Sequence, residues 1–428
     1  MREPDAALPV PDRQRWYVVG LLCLLYAFSH INRAAVVVLS VPIAQELALS
    51  DQQLALLIGT AFALVYSITG LPIAALIDRT NRKWIIVAGV GIWGVSTIAS
   101  AFATSFVMLA GLRAGVAFGE AVLTPGAVSL IADMFDPDQR LRPTALYAAV
   151  NALMGIGAMV VVGAVLAVAH PVAGLAAWRV VLVVIGIPPV LLGLVLALSV
   201  REPARRAASL GVSAGDPGLA RYLRGAWRML LPFYIGAAAL SLFLYGAIAW
   251  VPVIEQRLFG LRAATAGLTF GVIGMGGGLI GAVLWPFVVA RIERRGIAHG
   301  AMIVLCGASA LFGPLMAIGP ACTALVPFLA ILGVGLLGSS VVGILPSLVI
   351  QNYGAPHVRA RLMAMLLLAQ NVVGLGAGPW LVARLALLWP GRANAIGLAL
   401  GTTGAAMAAT AAIAFFFAWR ALRHLAGD

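Results

Sequence analysis

A chain of 428 residues that is 62% hydrophobic and only 10% charged, with a mean hydropathy of +1.03, cannot fold in water without exposing large apolar patches. Its formal net charge of +13 comes from 28 basic residues against 15 acidic ones, and the basic residues stand scattered between apolar runs. That scatter excludes a nucleic-acid surface and reads as membrane topology. Cys23, Cys306 and Cys322 sit in apolar surroundings at no metal-ligand spacing, so no disulfide framework, metal site or cofactor is expected.

Residues 1–16 form a polar tail carrying Pro4, Pro9 and Pro11. The apolar run from Trp16 is too long for a signal-peptide core, so the first span is expected to stay in the mature protein. Apolar runs of roughly 20 residues or more predict spans at 17–42, 52–77, 84–103, 106–132, 142–169 and 179–200, then at 229–256, 263–290, 298–318, 323–351, 361–389 and 394–420. The expected fold class is an all-α membrane protein of twelve transmembrane helices in two pseudo-symmetric six-helix bundles, 17–200 and 229–420. Between them, 201–228 reads as an Arg-rich cytoplasmic linker with room for a surface helix, and 421–428 as a cytoplasmic tail.

With the amino terminus inside, the inner segments hold 21 basic residues and the outer segments 5, which puts both termini in the cytoplasm. The halves also repeat weakly. LSDQQLALLIGTAFAL from Leu49 lies on LRAATAGLTFGVIGMG from Leu261 at an offset of 212, and the same offset carries Arg82 and Lys83 onto Arg294 and Arg295.

Of the 15 acidic residues, only Glu120 falls deep within a span; Glu255 is assigned to the outer face. A carboxylate in hydrocarbon must face water, pair with a cation or hold a proton. Arg33, midway along the first span, needs a partner in turn, and Glu120 is expected to face it across a central cavity as the proton-coupling pair. The plainer reading is an ion pair that only pins two helices. Arg113 stands seven residues before Glu120, two turns along one helix, and Gly115 and Gly119 thin that helix for close neighbours. His30, Asn32, Asn151, Gln370 and Asn371 are polar enough to line a substrate path, or equally to glue helices together, and a lone histidine such as His30 is more often a packing residue.

The inner loop with Asp78, Arg79, Arg82 and Lys83, together with Asp133, is read as a gating cluster that latches through charged hydrogen bonds, and also as a positive-inside anchor. Prolines at 42, 72, 125, 188, 189, 252, 286, 314, 346 and 379 are expected to kink spans and free backbone carbonyls. Glycines clustered at 274–281 and 374–378 predict close helix packing. No Ser, His and acid grouping and no phosphate loop occurs, which argues against an enzyme or a nucleotide-driven pump.

DRTNRK at 78–83, RAGVAFGEAVLTPGAVSLIADMF from Arg113, REP at 201–203 and GAIAWVPVIEQRLFGL from Gly246 resemble the major facilitator superfamily, and within it the bacterial relatives of the spinster transporters. Ala74 replaces the glycine usual before the loop. The resemblance implies a monomeric twelve-helix carrier in the inner membrane of a bacterium, working by rocking between two states as a symporter or antiporter. It also implies proton coupling through Glu120 and an acid beside the arginine of the first helix, but the family's Asp-Arg pair here reads Asn32-Arg33, so one titrating acid is missing. The implied substrate is a small amphipathic or organic anion: lysolipid-like if the spinster likeness governs, a sugar acid if the neighbouring anion:cation symporters do, and the arginines Arg33 and Arg113, together with Glu120, in an otherwise apolar substrate cavity would suit either. A membrane sensor that keeps the fold without moving solute is the alternative of a different class.

Overall fold

A computed structural model describes residues 11–203, 217–355 and 358–426 of the chain. Twelve helices in it are long and apolar enough to cross a membrane. They are α1 (Asp12–Val38), α2 (Asp51–Ile77), α3 (Arg82–Ser100), α4 (Phe106–Met134), α5 (Leu141–Val168), α6 (Ala177–Ser199), α7 (Leu219–Arg257), α8 (Ala263–Arg294), α9 (Gly300–Ala321), α10 (Leu325–Tyr353), α11 (Arg361–Ala386) and α12 (Ala395–Arg423). The starts of α2 and α8 keep the 212-residue offset of the sequence repeat.

Local chemistry sets where these helices begin. Ser50 opens α2 with a capping box, its hydroxyl accepting from Gln53 N while the Gln53 side chain accepts from Ser50 N. Asn81 caps α3 and Ser105 caps α4 in the simpler way, each side-chain oxygen taking an N–H of the first turn.

Prolines set several of the breaks. Pro42 cannot donate to the carbonyl of Val38, and α1 stops there, ahead of a short helix at Ser40–Glu46. The predicted first span at 17–42 therefore ends four residues early, and the freed Val38 carbonyl accepts from Gln256 Nε2 at 3.4 Å. Pro125 likewise cannot donate to Ala121, and α4 is interrupted between Glu120 and Leu123. The helix that contains α7 starts at Pro217, well before the predicted 229. Leu219, Tyr222, Leu223 and Ala226, spaced three and four apart, pack against the apolar core of their unit, so the back of the predicted linker is a continuation of α7.

By backbone proximity the chain divides into two compact units, Met1–Ala35, Val65–Ala158 and Ala169–Ser213 in the first, and Val36–Leu64, Met159–Val168 and Ala214–Asp428 in the second. The division departs from the expected cut between 200 and 229. The outer part of α2 and the outer end of α5 join the second unit because glycines there let backbones meet. A Cβ at Gly163 would stand 2.7 Å from the carbonyl oxygen of Ala264, and one at Gly59 would stand 2.5 Å from that of Leu375. Beside Gly59, in the π-helical turn Leu56–Thr60, Thr60 Oγ1 donates to Gly376 O at 2.6 Å, within the π-helical stretch Gln370–Ala377 of α11. In α8, Gly277 and Gly281 admit the backbone of α10 at Leu336 and Leu337.

One end of the first unit is tied together by Arg82, which is almost wholly buried. Its guanidinium donates to Asp133, to Glu202 Oε1 at 2.7 Å, to Ser129 Oγ at 3.1 Å and to Pro203 O at 3.2 Å. Glu202 also accepts from the backbone N of Lys83 at 2.9 Å, so one arginine ties the start of α3, the end of α4 and the REP segment together.

Two outcomes follow for thermal unfolding in detergent. Gly59→Val should cost about 1–3 kcal/mol, because the obstructing atom is a backbone oxygen that cannot swing away. Arg82→Ala should cost about 3 kcal/mol, the low end for breaking a buried pair since Asp133 and Glu202 keep some water, and Arg82→Lys should recover only part of it for want of the planar fork.

Candidate functional site

The polar groups of α1 that the sequence singles out lie within four residues, His30 to Arg33, and the interior of the first unit gathers their partners. Glu120 is placed by two features of α4. Gly119, the residue before it, lets α4 press against α3, where an added Cβ would collide with Gly89 O and lie 2.7 Å from Trp93 Cβ. The proline-induced interruption then follows at once, so Glu120 ends the outer half of α4.

The carboxylate has no exposed side-chain surface, and Arg33 Nε donates to its Oε2 at 2.7 Å. Ser29 Oγ, one helical turn before Arg33, donates to the same oxygen at 2.8 Å. Oε1 has no hydrogen-bond partner among the described residues. Arg33 keeps about a third of its side chain accessible (31%) and lies with its guanidinium carbon 5.3 Å from the ring centre of Tyr66.

Asn32 points away from this pair and bridges two other helices. Its Nδ2 donates to Thr97 Oγ1 on α3, and its Oδ1 accepts from Arg113 NH1 at 3.2 Å on α4. Thr97 Oγ1 is itself a donor to Trp93 O at 2.9 Å, which leaves it an acceptor toward Asn32. The amide therefore fits by having both a donor and an acceptor, where a carboxylate would offer only acceptors. Arg113 is buried against Asn32, so of the two arginines expected to meet a substrate, Arg33 is the more open one.

His30 is buried, its Nε2 has no hydrogen-bond partner among the described residues, and its ring lies edge-on to Tyr26 at 4.8 Å. Tyr26 stacks on Tyr147 at 4.5 Å and 6°, and its hydroxyl donates to Asn151 Oδ1 at 3.4 Å. Ser29, Thr97, Tyr26, Tyr66 and Tyr147 were missed in the sequence. Ser29 was the most accessible of these, standing one turn before Arg33; the tyrosines depend on which helices pack together.

The other predicted residues are placed differently. Gln370 and Asn371 belong to the second unit, where Gln370 Nε2 donates to Val342 O at 2.9 Å and fastens α11 to α10. In the predicted gating loop, Arg82 and Asp133 form the buried hub of the inner face, Lys83 lies 4.9 Å from the Trp84 ring, and Arg79 is exposed at a helix end. The side chain of Asp78 lies outside the described residues. Glu255, assigned to the outer face in the sequence, is fully buried instead, because α7 runs to Arg257 and turns that position inward. No group of three or more metal-ligating side chains occurs among the described residues.

Comparison with known proteins sets this geometry in a family. The sequence profile of the Major Facilitator Superfamily matches residues 22–379. The chain is 27% identical to an MFS-type efflux pump of Mycolicibacterium smegmatis over 98% of its own length and 97% of the relative's. It is also 27% identical to a probable L-galactonate transporter of Escherichia coli, over 64% of this chain and 63% of that one. In structure it resembles a bacterial homologue of the human lysosomal transporter spinster, solved inward-facing and unoccupied, with a TM-score of 0.84 and 24% identity over 97% of this chain and 98% of that one. The helices, their two-bundle fold and the profile match over most of the length agree: the chain belongs to the major facilitator superfamily, a family of membrane transporters.

Proposed function

We propose that this transporter carries a small organic or amphipathic anion by alternating access, coupled to protons through Glu120, in the inner membrane of a bacterium with both termini in the cytoplasm. The observation that supports it best is the state of one carboxylate. Glu120 Oε2 takes both donors, Arg33 and Ser29, while Oε1 is buried with no hydrogen-bond partner among the described residues.

That arrangement couples two ligands by competition. With Glu120 ionised, its carboxylate occupies the attraction of Arg33, and in a dry site such a pair is held strongly. A proton on Glu120 removes the competing charge, so Arg33 becomes available to a substrate anion. Deprotonation returns Arg33 to Glu120 and releases the anion. Proton and anion then bind together and leave together, which is symport without a second acid, and it suits the presence of Asn32 where the spinster pattern has an aspartate.

The partial exposure of Arg33 beside Tyr66, and the tyrosine stack next to His30, favour an anion attached to an apolar or hydroxylated body. The names of the relatives span an efflux pump and a sugar-acid transporter, so they support the carrier reading without fixing its direction.

The test is uptake into proteoliposomes of labelled galactonate and of an anionic lysolipid, with and without an inward proton gradient. At least one should be driven by the gradient. Glu120→Gln should abolish that drive while leaving exchange of substrate across the membrane, because a neutral amide mimics the protonated state. Arg33→Met should weaken substrate binding by roughly tenfold or more, the loss of about 1.4 kcal/mol or more of guanidinium attraction. Unchanged proton dependence in Glu120→Gln would remove the coupling role, and saturable binding without any uptake would favour the sensor.

A further inference from the structure

The helix that contains α7 runs without a break from Pro217 to Arg257, and its first three turns have two unlike faces. Leu219, Tyr222, Leu223 and Ala226 pack against the apolar core of the second unit. On the other side Arg221, Arg224 and Arg228 stand exposed, three and four residues apart, and so form one stripe. The same spacing runs on into the apolar span through Leu231 and Ile235, which are 54% and 46% exposed. In a helix that crosses a membrane, that exposed apolar face meets lipid.

At 1.5 Å of rise per residue, Arg228, Arg224 and Arg221 lie about 4.5, 10 and 15 Å beyond Leu231 along the helix axis. That range spans the headgroup layer, and the long stems let each guanidinium lean toward it. Trp227, also exposed, stands in the same turn with the Arg228 guanidinium carbon 5.8 Å from its ring centre. Indole rings favour this depth, where one side is apolar and the other wet.

The stripe carries no acid: the segment from Pro217 to Ile235 contains neither Asp nor Glu. None of the three arginines makes an ion pair among the described residues, and Arg224 spends one N–H on its own helix, donating from Nε to Ala220 O at 3.3 Å. Gly225 lies between them, four residues after Arg221 and three before Arg228, and a Cβ there would meet open space. Three guanidiniums thus surround a gap at the end of a lipid-facing apolar strip. Their planar forks match the oxygens of a phosphate, and the strip below matches an acyl chain. General anchoring to a charged surface would need the charge alone, without the gap or the strip.

We infer that the start of α7 binds one anionic phospholipid of the bilayer, its phosphodiester held over Gly225 by Arg221, Arg224 and Arg228 and its acyl chains laid along Leu231 and Ile235. The surface takes the lipid as a bound partner. It is separate from the Arg33 and Glu120 pair and independent of what the transporter carries.

The test reads contact between lipid and Trp227 in the full-length protein, held in phosphatidylcholine nanodiscs. Phosphatidylglycerol or phosphatidylcholine, brominated near the glycerol end of the acyl chain, is titrated in as a quencher. Because the chain has 10 tryptophans, the Trp227 signal is taken as the difference from Trp227→Phe. Half-maximal quenching should need a roughly fivefold or more lower fraction of the anionic lipid than of the neutral one. The triple variant Arg221→Gln, Arg224→Gln, Arg228→Gln should erase that preference. Gly225→Leu, which fills the gap without changing charge, should lose most of it, and a helix accepts leucine more readily than glycine. Removing the same charge elsewhere in the second unit, by Arg291→Gln, Arg294→Gln and Arg295→Gln, should leave it intact. Equal quenching by both lipids, a preference unmoved by Gly225→Leu, or equal loss in the two triple variants would each overturn the proposal. Relief of the quenching by excess soluble glycerol phosphate would assign the gap to a free phosphate and overturn it as well.

Discussion

One ion pair in hydrocarbon, Arg33 with Glu120, governs how the first unit is built. Neither charge is tolerated alone at that depth, so each is kept only because the other is held within hydrogen-bond reach, at 2.7 Å. Holding it there requires α1 and α4 to approach closely, and the sequence supplies the means. Gly119 and Gly89 remove the side chains that would separate α4 from α3, and Pro125 interrupts α4 immediately after the carboxylate. Asn32, tied to Thr97 and Arg113, fastens α1 to the same two helices from the other side. The pair is thus positioned by backbone geometry, and its asymmetry, with one oxygen engaged and one not, leaves room for a proton or a substrate to change it.

The second unit follows a different logic. Its close contacts are made by small residues and backbone carbonyls, as at Gly59, Gly163 and the π-helical stretches of α2 and α11. A π-turn inserts one residue into the helical register, and such turns occur frequently at functional sites. The first unit centres its polar network on buried charged side chains, whereas side-chain hydrogen bonds in the second, such as those of Thr60 and Gln370, run to backbone carbonyls.

Much of the architecture was legible in the sequence, because a bilayer imposes rules that single residues obey. Apolar run lengths gave twelve spans, and the search for a deep acid led to Glu120 and so to Arg33. What escaped had identifiable causes. The end of α1 at Val38 was implied by Pro42 four residues later, yet hydropathy alone carries the span onward through Val41. The inner part of α7 was hidden by its arginines, although Leu219, Tyr222, Leu223 and Ala226 trace an apolar helical stripe between them. Glu255 was taken for a surface acid because Gln256 and Arg257 follow it and look like a span boundary; its burial depends on which way the last turn of α7 faces. The Tyr26 and Tyr147 stack depends on which helices pack together, and no local pattern announces it.

The central claim is that Glu120 takes up and releases a proton while its partner Arg33 stays in place. Infrared difference spectroscopy of the protein in lipid, recorded across a pH titration, reports directly on the C=O stretch of a protonated carboxyl group. The account predicts a band that grows as pH falls, is absent from Glu120→Gln and is retained by Glu255→Gln. The same band persisting undiminished in Glu120→Gln would contradict it, for the titrating proton would then reside on another group.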